Sequence, residues 1–213
     1  MKTHHLNTEF LSIDKLKEVV FGGYRIELSN QAKENIQHCR IFLDKKIANT
    51  TVPIYGINTG FGSLCNESIS NHDLEKLQEN LVMSHACGMG EEVPEQIVRL
   101  MLFLKAQGLA YGHSGVHVET VQRLLDFLNE GVYPIVYQQG SLGASGDLAP
   151  LANMSLALLG KGEVNFKGER KSSMDILSLF LIPLPEPIGD AKGMIAEAPK
   201  SSNFFAIIGS SEQ

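Results

Sequence analysis

Residues 140–160 read GSLGASGDLAPLANMSLALLG, a glycine-rich break followed by a run that is apolar on every side. Glycines interrupt regular structure, whereas the residues after Asp147 and Pro150 favour a helix. A helix that is apolar all round belongs in the centre of a larger assembly, because no face of it suits water. This stretch therefore predicts a tight turn followed by a central, buried helix.

Helical periodicity also marks most of the chain before this stretch. Apolar residues recur at spacings of three and four, which is typical of helices with one buried face. Two short helices are predicted at residues 12–19 and 29–45, and three longer ones follow: the first begins at the capping box Ser70–Asp73 and ends at Gly88, the second runs from Pro94 to Gly112, and the third ends at Gly131. Successive amphipathic helices with short links predict helices packed on helices.

The other segments predict less regular structure. Residues 49–70 hold three glycines and many turn-forming residues, which indicates a long irregular segment of the kind that often carries function. The segment EVNFKGER predicts a small β-hairpin that turns at Lys167–Gly168, and SMDILSLF predicts a short helix. We predict a mainly α fold with an irregular N-terminal region that leads into a central helical bundle with a small β-hairpin.

Composition excludes several classes of protein. The 213 residues carry a formal charge of −6 with a pI of about 5.6, which gives no support for binding nucleic acid or acidic membranes. The three cysteines, Cys39, Cys65 and Cys87, are scattered without CxxC spacing, which argues against a disulfide framework and a zinc site. Neither a secretory signal nor an apolar run of membrane-spanning length is visible. We expect a cytoplasmic protein.

Familiar catalytic and binding motifs are missing from the sequence. It contains no GxxxxGK[ST], HExxH or GxSxG pattern, which disfavours P-loop, zinc-protease and serine-hydrolase chemistry. His113 and His117 are four residues apart, but Ser114 and Gly115 interrupt them, so we predict no metal site. The glycine-rich loop precedes a helix without a following lysine, and Asp147 would repel a phosphate there.

The tripeptide Ala144-Ser145-Gly146 permits a different chemistry. Because Gly146 lacks a Cβ, its amide nitrogen can approach the Ala144 carbonyl carbon, and loss of water then closes an imidazolone ring. Loss of a second water across Cα–Cβ of Ser145 leaves an exocyclic methylene, a strong electrophile that natural side chains cannot supply. The alternative interpretation of this tripeptide is a simple helix-capping turn.

Two further motifs give the tripeptide a context. The stretch at residues 140–160, together with YGINTGFG at residues 55–62 and LQENLVMSHACGMG at residues 77–90, resembles the aromatic amino-acid ammonia-lyase family, and its histidine-specific branch most closely. The resemblance covers roughly residues 5 to 170. It implies that Ala144, Ser145 and Gly146 form 4-methylideneimidazole-5-one (MIO) by themselves, with no external cofactor.

The resemblance also implies roles for residues near the electrophile. Asp147 would assist the cyclisation, with a plain helix N-terminal cap as the alternative role. Tyr55 would sit beside the electrophile and handle a proton or position the amine, and Gly60 would let its loop close over the substrate. His85, near a helix C-terminus where the macrodipole favours a cationic imidazole, would contact the substrate side chain.

The implied reaction is loss of ammonia from L-histidine to give trans-urocanate, in a homotetramer whose sites mix residues from several subunits. Tyrosine or phenylalanine ammonia-lyases and aminomutases remain alternatives, as does a non-catalytic helical interaction module derived from a lyase. Residues 1–170 form the lyase-like region, and residues 171–213 form a divergent or truncated tail. We expect the chain to be an incomplete N-terminal part, because family members continue well beyond this length.

Overall fold

Seven helices and nine short strands are formed within the residues that the computed structural model describes, which are 2–50, 52–59, 66–70, 73–143 and 146–179. The helices are α1 (Ile13–Phe21), α2 (Asn30–Ala48), α3 (Leu74–His85), α4 (Glu95–Ala110), α5 (Val118–Glu130), α6 (Ala149–Leu156) and α7 (Ser173–Leu179). The strands are β1 (Thr3–Leu6), β2 (Arg25–Leu28), β3 (Met89–Glu92), β4 (Val132–Pro134), β5 (Tyr137–Gln139), β6 (Leu142–Gly143), β7 (Gly146–Asp147), β8 (Glu163–Phe166) and β9 (Glu169–Ser172). The mainly α prediction is confirmed.

The predicted helices form because their ends are capped as the sequence indicates. Ser29 Oγ accepts a hydrogen bond from the Ala32 amide at 3.1 Å and so satisfies one of the unpaired donors at the start of α2. Gly131 ends α5 in the left-handed conformation, with a φ of 68°, where glycine avoids the strain of a Cβ. Pro94 precedes α4, in line with its predicted start.

Helix α3 differs from its predicted bounds at both ends. The Ser70 hydroxyl donates to the Asp73 carboxylate at 2.7 Å, and the helix itself begins at Leu74. At the other end α3 stops at His85, three residues before the predicted stop at Gly88, and strand β3 follows at Met89. This strand pairs with β5, so the chain turns from helix to sheet before Gly88 can act as a helix terminator.

The core lies between α4 and α5 and the elements that cover them. Its largest fully buried side chains are Leu6, Ile26, Ile36, Leu102, Phe103, Leu124, Leu125, Leu128, Met154, Leu158 and Ile176. Strands β1 and β2 form a parallel pair that the periodicity did not predict, and Asn129 of α5 fixes β2 by bonding both the amide and the carbonyl of Ile26 at 2.8 Å. Because Ile176 belongs to α7, this core extends beyond residue 170.

The predicted hairpin is present and belongs to a larger sheet. Lys167 and Gly168 have φ values of 55° and 77°, as the two central residues of a type I′ turn require. Strand β8 pairs with β9 through this turn and with β4 on its other edge, which gives three antiparallel strands. None of the helices in the described part of the chain is long and apolar enough to cross a membrane.

Candidate active site

Tyr55 lies on a tight turn that the following residues hold together. The amides of Ile57 and Asn58 both donate to the Ile54 carbonyl, at 3.0 and 3.2 Å, and Asn58 Oδ1 accepts from the Ile54 amide at 2.6 Å. Gly56 occupies the left-handed region with a φ of 69°, where a glycine is favoured. The Tyr55 side chain remains 46% exposed, so the turn presents the phenol ring outward instead of burying it in the core.

Helix α3 holds this turn through Gln78. The side-chain amide Nε2 of Gln78 donates to the carbonyl oxygens of Gly56, at 3.0 Å, and Ile57, at 3.3 Å. Gln78 is buried, with 5% of its surface exposed. Sequence analysis missed this residue, although a signal existed: Gln78 lies on the apolar face that Leu81 and Val82 continue, where a polar side chain needs a partner.

His85 is the last residue of α3 and bonds back to its own helix. Its Nδ1 lies 2.7 Å from the Leu81 carbonyl oxygen and 3.2 Å from Ser84 Oγ. Since a carbonyl oxygen can only accept, Nδ1 carries a proton in this arrangement. The half-buried ring is thereby oriented at the end of the helix.

The short strand pair β6–β7, which we call the Ala-Ser-Gly hairpin, flanks residues 144 and 145 in the sequence. Strands β6 and β7 pair in antiparallel register, with Leu142 opposite Asp147 and Gly143 opposite Gly146. Gly146 has a φ of 89°, a conformation that L side chains rarely adopt. Ala144, Ser145 and the predicted substrate-binding residue Gly60 lie outside the described residues.

Asp147 directs its carboxylate toward the start of α6. Its Oδ1 accepts a hydrogen bond from the Ala149 amide at 3.1 Å, which satisfies a donor at the helix N-terminus. A Cβ on Gly140 would overlap this carboxylate, so a glycine at position 140 leaves the space that the carboxylate fills. The capping role therefore has a geometric basis, and the carboxylate is also anchored directly beside Gly146.

A second side-chain amide joins α3 to α6. Asn153 of α6, which is 8% exposed, accepts a hydrogen bond on Oδ1 from the Gly88 amide at 3.2 Å. Gln78 therefore fixes the Tyr55 turn to α3, and Asn153 fixes the end of α3 to the helix that follows the Ala-Ser-Gly hairpin. In this way the structure brings the three sequence motifs together into one packed unit.

The described residues contain no candidate metal-binding site. Within them, no group of three or more histidine, cysteine or acidic side chains is arranged to hold a metal ion.

Comparison with known proteins identifies the family to which these motifs belong. The family model described as aromatic amino acid lyase matches residues 11–186, which is most of the chain. The chain belongs to the aromatic amino acid lyase family.

Among curated members of the aromatic amino acid lyase family, histidine ammonia-lyases are strongly similar to this chain. The histidine ammonia-lyase of Natranaerobius thermophilus is 48% identical over 174 residues, which cover 82% of this chain and 34% of that protein. The histidine ammonia-lyase of Clostridium tetani is 44% identical over 176 residues, covering 83% of this chain and 34% of that protein. The chain thus spans about a third of the length of these relatives.

Solved structures of aromatic amino acid lyase relatives share the fold. Histidine ammonia-lyase from Trypanosoma cruzi superposes with a TM-score of 0.77 at 34% identity, over 98% of this chain and 38% of that one. The ergothioneine-degrading enzyme ergothionase from Treponema denticola superposes with a TM-score of 0.84 at 25% identity, over 98% of this chain and 39% of that one. The helical architecture is therefore that of the family.

Proposed function

We propose that this chain provides the electrophile-bearing part of a histidine ammonia-lyase, which eliminates ammonia from L-histidine to give trans-urocanate. The observation that carries the proposal is that Gln78 joins the Tyr55 turn to α3, the helix that ends at His85, and that Asn153 joins Gly88, just beyond α3, to the helix that follows the Ala-Ser-Gly hairpin. The 48% identity to a histidine ammonia-lyase supports histidine as the substrate.

The residues around the hairpin fit the formation of MIO. Cyclisation needs the Gly146 nitrogen to reach the Ala144 carbonyl carbon, and among the described residues no atom lies within 4 Å of a Cβ built on Gly146. Gly143 and Gly146, which flank Ala144 and Ser145 in the sequence, are opposite each other where β6 pairs with β7. When formed, MIO supplies an electrophilic methylene toward the substrate amine.

The chain's own side chains then orient the substrate and move protons. The His85 ring, held at the end of α3 by the bond from Nδ1 to the Leu81 carbonyl, would contact the substrate side chain. The Tyr55 phenol, 46% exposed on its turn, can reach a bound ligand and exchange a proton with it. Asp147 holds its carboxylate at the start of α6, where it can accept the proton that Gly146 releases on cyclisation.

We further propose a homotetramer in the cytoplasm, with L-histidine as ligand and with neither nucleic acid nor membrane as partner. Large apolar side chains on the surface support association: Phe10 is 92% exposed, Ile13 71% and Phe42 62%. The formal charge of −6 gives no basis for a nucleic-acid partner.

Intact mass spectrometry tests whether the electrophile forms. Maturation of the folded chain should lower its mass by about 36 Da, the mass of two water molecules, relative to the encoded sequence. The variant Ser145→Ala, which has no hydroxyl to lose as the second water, should not lose this pair of waters and should lack the near-ultraviolet absorbance of the mature ring. A folded chain with the unmodified mass would overturn the proposal that it matures by itself.

Measuring turnover tests the proposal that L-histidine is the substrate. Because the chain covers 34% of the Natranaerobius thermophilus enzyme, it should be joined to the portion of that relative beyond the aligned residues. The joined protein is then assayed with L-histidine, L-tyrosine and L-phenylalanine, following the ammonia that each would release, with urocanate absorbance as a second readout for L-histidine. We expect turnover of L-histidine, and a preference for either of the other amino acids would refute the proposed substrate.

A further inference from the structure

The buried side chain of Gln78 links helix α3 to the turn that carries Tyr55. The residue sits in the middle of α3, facing the core side of the helix, with 5% of its surface exposed. Burying a carboxamide is unfavourable unless its hydrogen bonds are made, so the position needs a specific partner. That partner is the backbone of the turn that carries Tyr55.

The carbonyls that Gln78 holds belong to two consecutive residues. Nε2 donates to the Gly56 oxygen at 3.0 Å and to the Ile57 oxygen at 3.3 Å. Because one side-chain amide bonds the carbonyl oxygens of two consecutive residues, it fixes both the position and the tilt of the peptide between them. Because Tyr55 directly precedes this pair, the orientation of its Cα–Cβ bond is set by the same contact.

Helix geometry links this contact to His85. Positions 78 and 85 are seven residues apart on α3, so their side chains leave nearly the same face of the helix, about 10 Å apart along its axis. A rigid helix thus carries the anchor of the Tyr55 turn at one position and the ring of His85 two turns later. The separation of the Tyr55 and His85 side chains then depends on the two hydrogen bonds from Gln78 to the turn, which we call the Gln78 tether.

We propose that Gln78 is a positioning residue, which holds the Tyr55 turn on α3 and thereby sets the distance between the Tyr55 phenol and the His85 imidazole. The roles of these two groups rest on the proposed function, whereas the tether itself does not. Gln78 acts through hydrogen-bond donation and not through its bulk.

Two substitutions separate donation from packing. Gln78→Glu keeps the shape of the side chain but, as a carboxylate, presents only acceptors to the two carbonyl oxygens. Gln78→Leu keeps an apolar volume and removes both the donor and the acceptor. Gln107→Leu is the matched control, because Gln107 is also buried, at 9% exposure, and its Nε2 also donates to a loop carbonyl, that of Asn7 at 2.7 Å.

Two measurements on the 213-residue chain read out the tether without any turnover. Hydrogen–deuterium exchange of the peptide covering residues 52–59 reports the amides of the turn. Fluorine NMR of the chain labelled with 3-fluorotyrosine reports the Tyr55 ring, with Tyr55→Phe assigning its resonance. Neither measurement depends on MIO or on substrate, so failure of this inference is distinguishable from failure of the proposed function.

We expect both Gln78 variants to speed exchange in residues 52–59 roughly tenfold, as loss of a net hydrogen bond implies, and to shift the Tyr55 resonance. Gln107→Leu should leave both signals as they are in the unsubstituted chain. If Gln78→Leu, which has no donor, matches the unsubstituted chain in exchange and in the Tyr55 resonance, Gln78 acts by packing and the inference is overturned.

If neither variant folds, the unsubstituted chain still decides the matter. Its Gln78 side-chain amide protons should exchange slowly and show nuclear Overhauser effects to the Hα protons of Gly56 and Ile57. Rapid exchange of these protons, without such effects, would refute the tether.

Discussion

Asn153 Oδ1 accepts a hydrogen bond from the backbone amide of Gly88 at 3.2 Å, although 65 residues separate the two in the chain. Gly88 follows directly on the segment that carries His85, and Asn153 lies in the helix that follows the Ala-Ser-Gly hairpin. The contact is therefore the point at which two of the three motifs become one rigid unit. Its geometry leaves no room for a side chain at position 88, which makes it testable.

The substitution Gly88→Ala should weaken this joint. The new Cβ would lie 2.6 Å from Asn153 Oδ1 and 3.2 Å from the Tyr137 Cβ, so the Asn153 side chain must move and its hydrogen bond to the Gly88 amide is strained or lost. We expect a decrease of about 1 to 3 kcal/mol in the free energy of unfolding, as overpacked sites show, measured by urea denaturation.

The control for this substitution is Gly108→Ala. Gly108 lies within α4, and a Cβ there would meet no atom within 4 Å. Since alanine favours the helix by about 0.5 to 1 kcal/mol over glycine, this variant should be as stable as the unsubstituted chain or more stable. Equal stabilities of the Gly88→Ala variant and the unsubstituted chain would contradict the role of the Gly88–Asn153 contact.

An ion pair reinforces the same junction between α3 and α6. Glu79 of α3 lies 3.1 Å from Lys161, just beyond α6, and 3.3 Å from Lys76. The hydrogen bond from Lys161, followed by that from Lys76, lowers the pKa of the Glu79 carboxyl. Because the folded chain holds the charged form more strongly than the unfolded chain does, the stabilisation exists at neutral pH and is lost as the pH falls below the normal glutamate pKa.

We therefore expect Glu79→Gln to lower the free energy of unfolding by about 0.5 to 1 kcal/mol at pH 7, with the difference shrinking as the pH falls below the ordinary glutamate pKa and the Glu79 carboxylate becomes protonated. Urea denaturation over this pH range measures it. The matched control is Glu169→Gln, since the Glu169–Lys171 pair lies within one exposed strand and joins no two elements. A difference that persists unchanged to acid pH would show that the Glu79 charge is not responsible.

The predictable parts of this fold are those that depend on neighbours in sequence. The hairpin at Lys167–Gly168 was predictable because its turn needs two residues that tolerate positive φ, and the sequence provides them. The helices were predictable because their apolar faces repeat along the chain. The β1–β2 pair was not, because two four-residue strands carry too short a pattern and α1 lies between them.

The candidate site, like the fold, was predictable from the sequence only in part. The motifs marked Tyr55, His85 and Asp147 as residues of interest by their position in the sequence. They could not show how these residues are held, because Gln78 and Gly56 are 22 residues apart and their contact depends on the path of the chain between them. Gln78 could be recognised only as a polar side chain on an apolar face, which indicates a buried hydrogen bond without naming its partner.

Because of Lys105 in α4, the free energy of unfolding of the chain should depend on pH in the alkaline range. Burial lowers the pKa of its ammonium group to about 8, from an ordinary value of 10.5. Between these two pH values the unfolded chain binds a proton that the folded chain does not, so stability rises with pH across this window. Below pH 8 the full penalty for the buried charge applies.

The variant Lys105→Met should remove this penalty. At pH 7 we expect it to be more stable than the unsubstituted chain by about 2 to 3 kcal/mol, and the two stabilities should converge near pH 10.5. Urea denaturation at pH 7, 8.5 and 10 measures the convergence, with Lys33→Met on the exposed side of α2 as the control. A gap of constant size from pH 7 to pH 10 would count against a buried charge at Lys105.

Asp147 allows the capping and catalytic roles of one side chain to be separated. Asp147→Asn keeps an Oδ1 that can accept from the Ala149 amide, so the start of α6 remains capped, while the carboxylate that could take a proton from Gly146 is gone. We expect its free energy of unfolding to stay within about 0.5 kcal/mol of the unsubstituted value, with loss of the two waters slowed or abolished. Asp147→Ala removes both functions and should also lose about 1 kcal/mol of stability.

Intact mass over time and urea denaturation of the two Asp147 variants give the comparison. If Asp147→Asn loses two waters as fast as the unsubstituted chain, the Asp147 carboxylate serves only as a helix cap, and the proton from Gly146 leaves by another route.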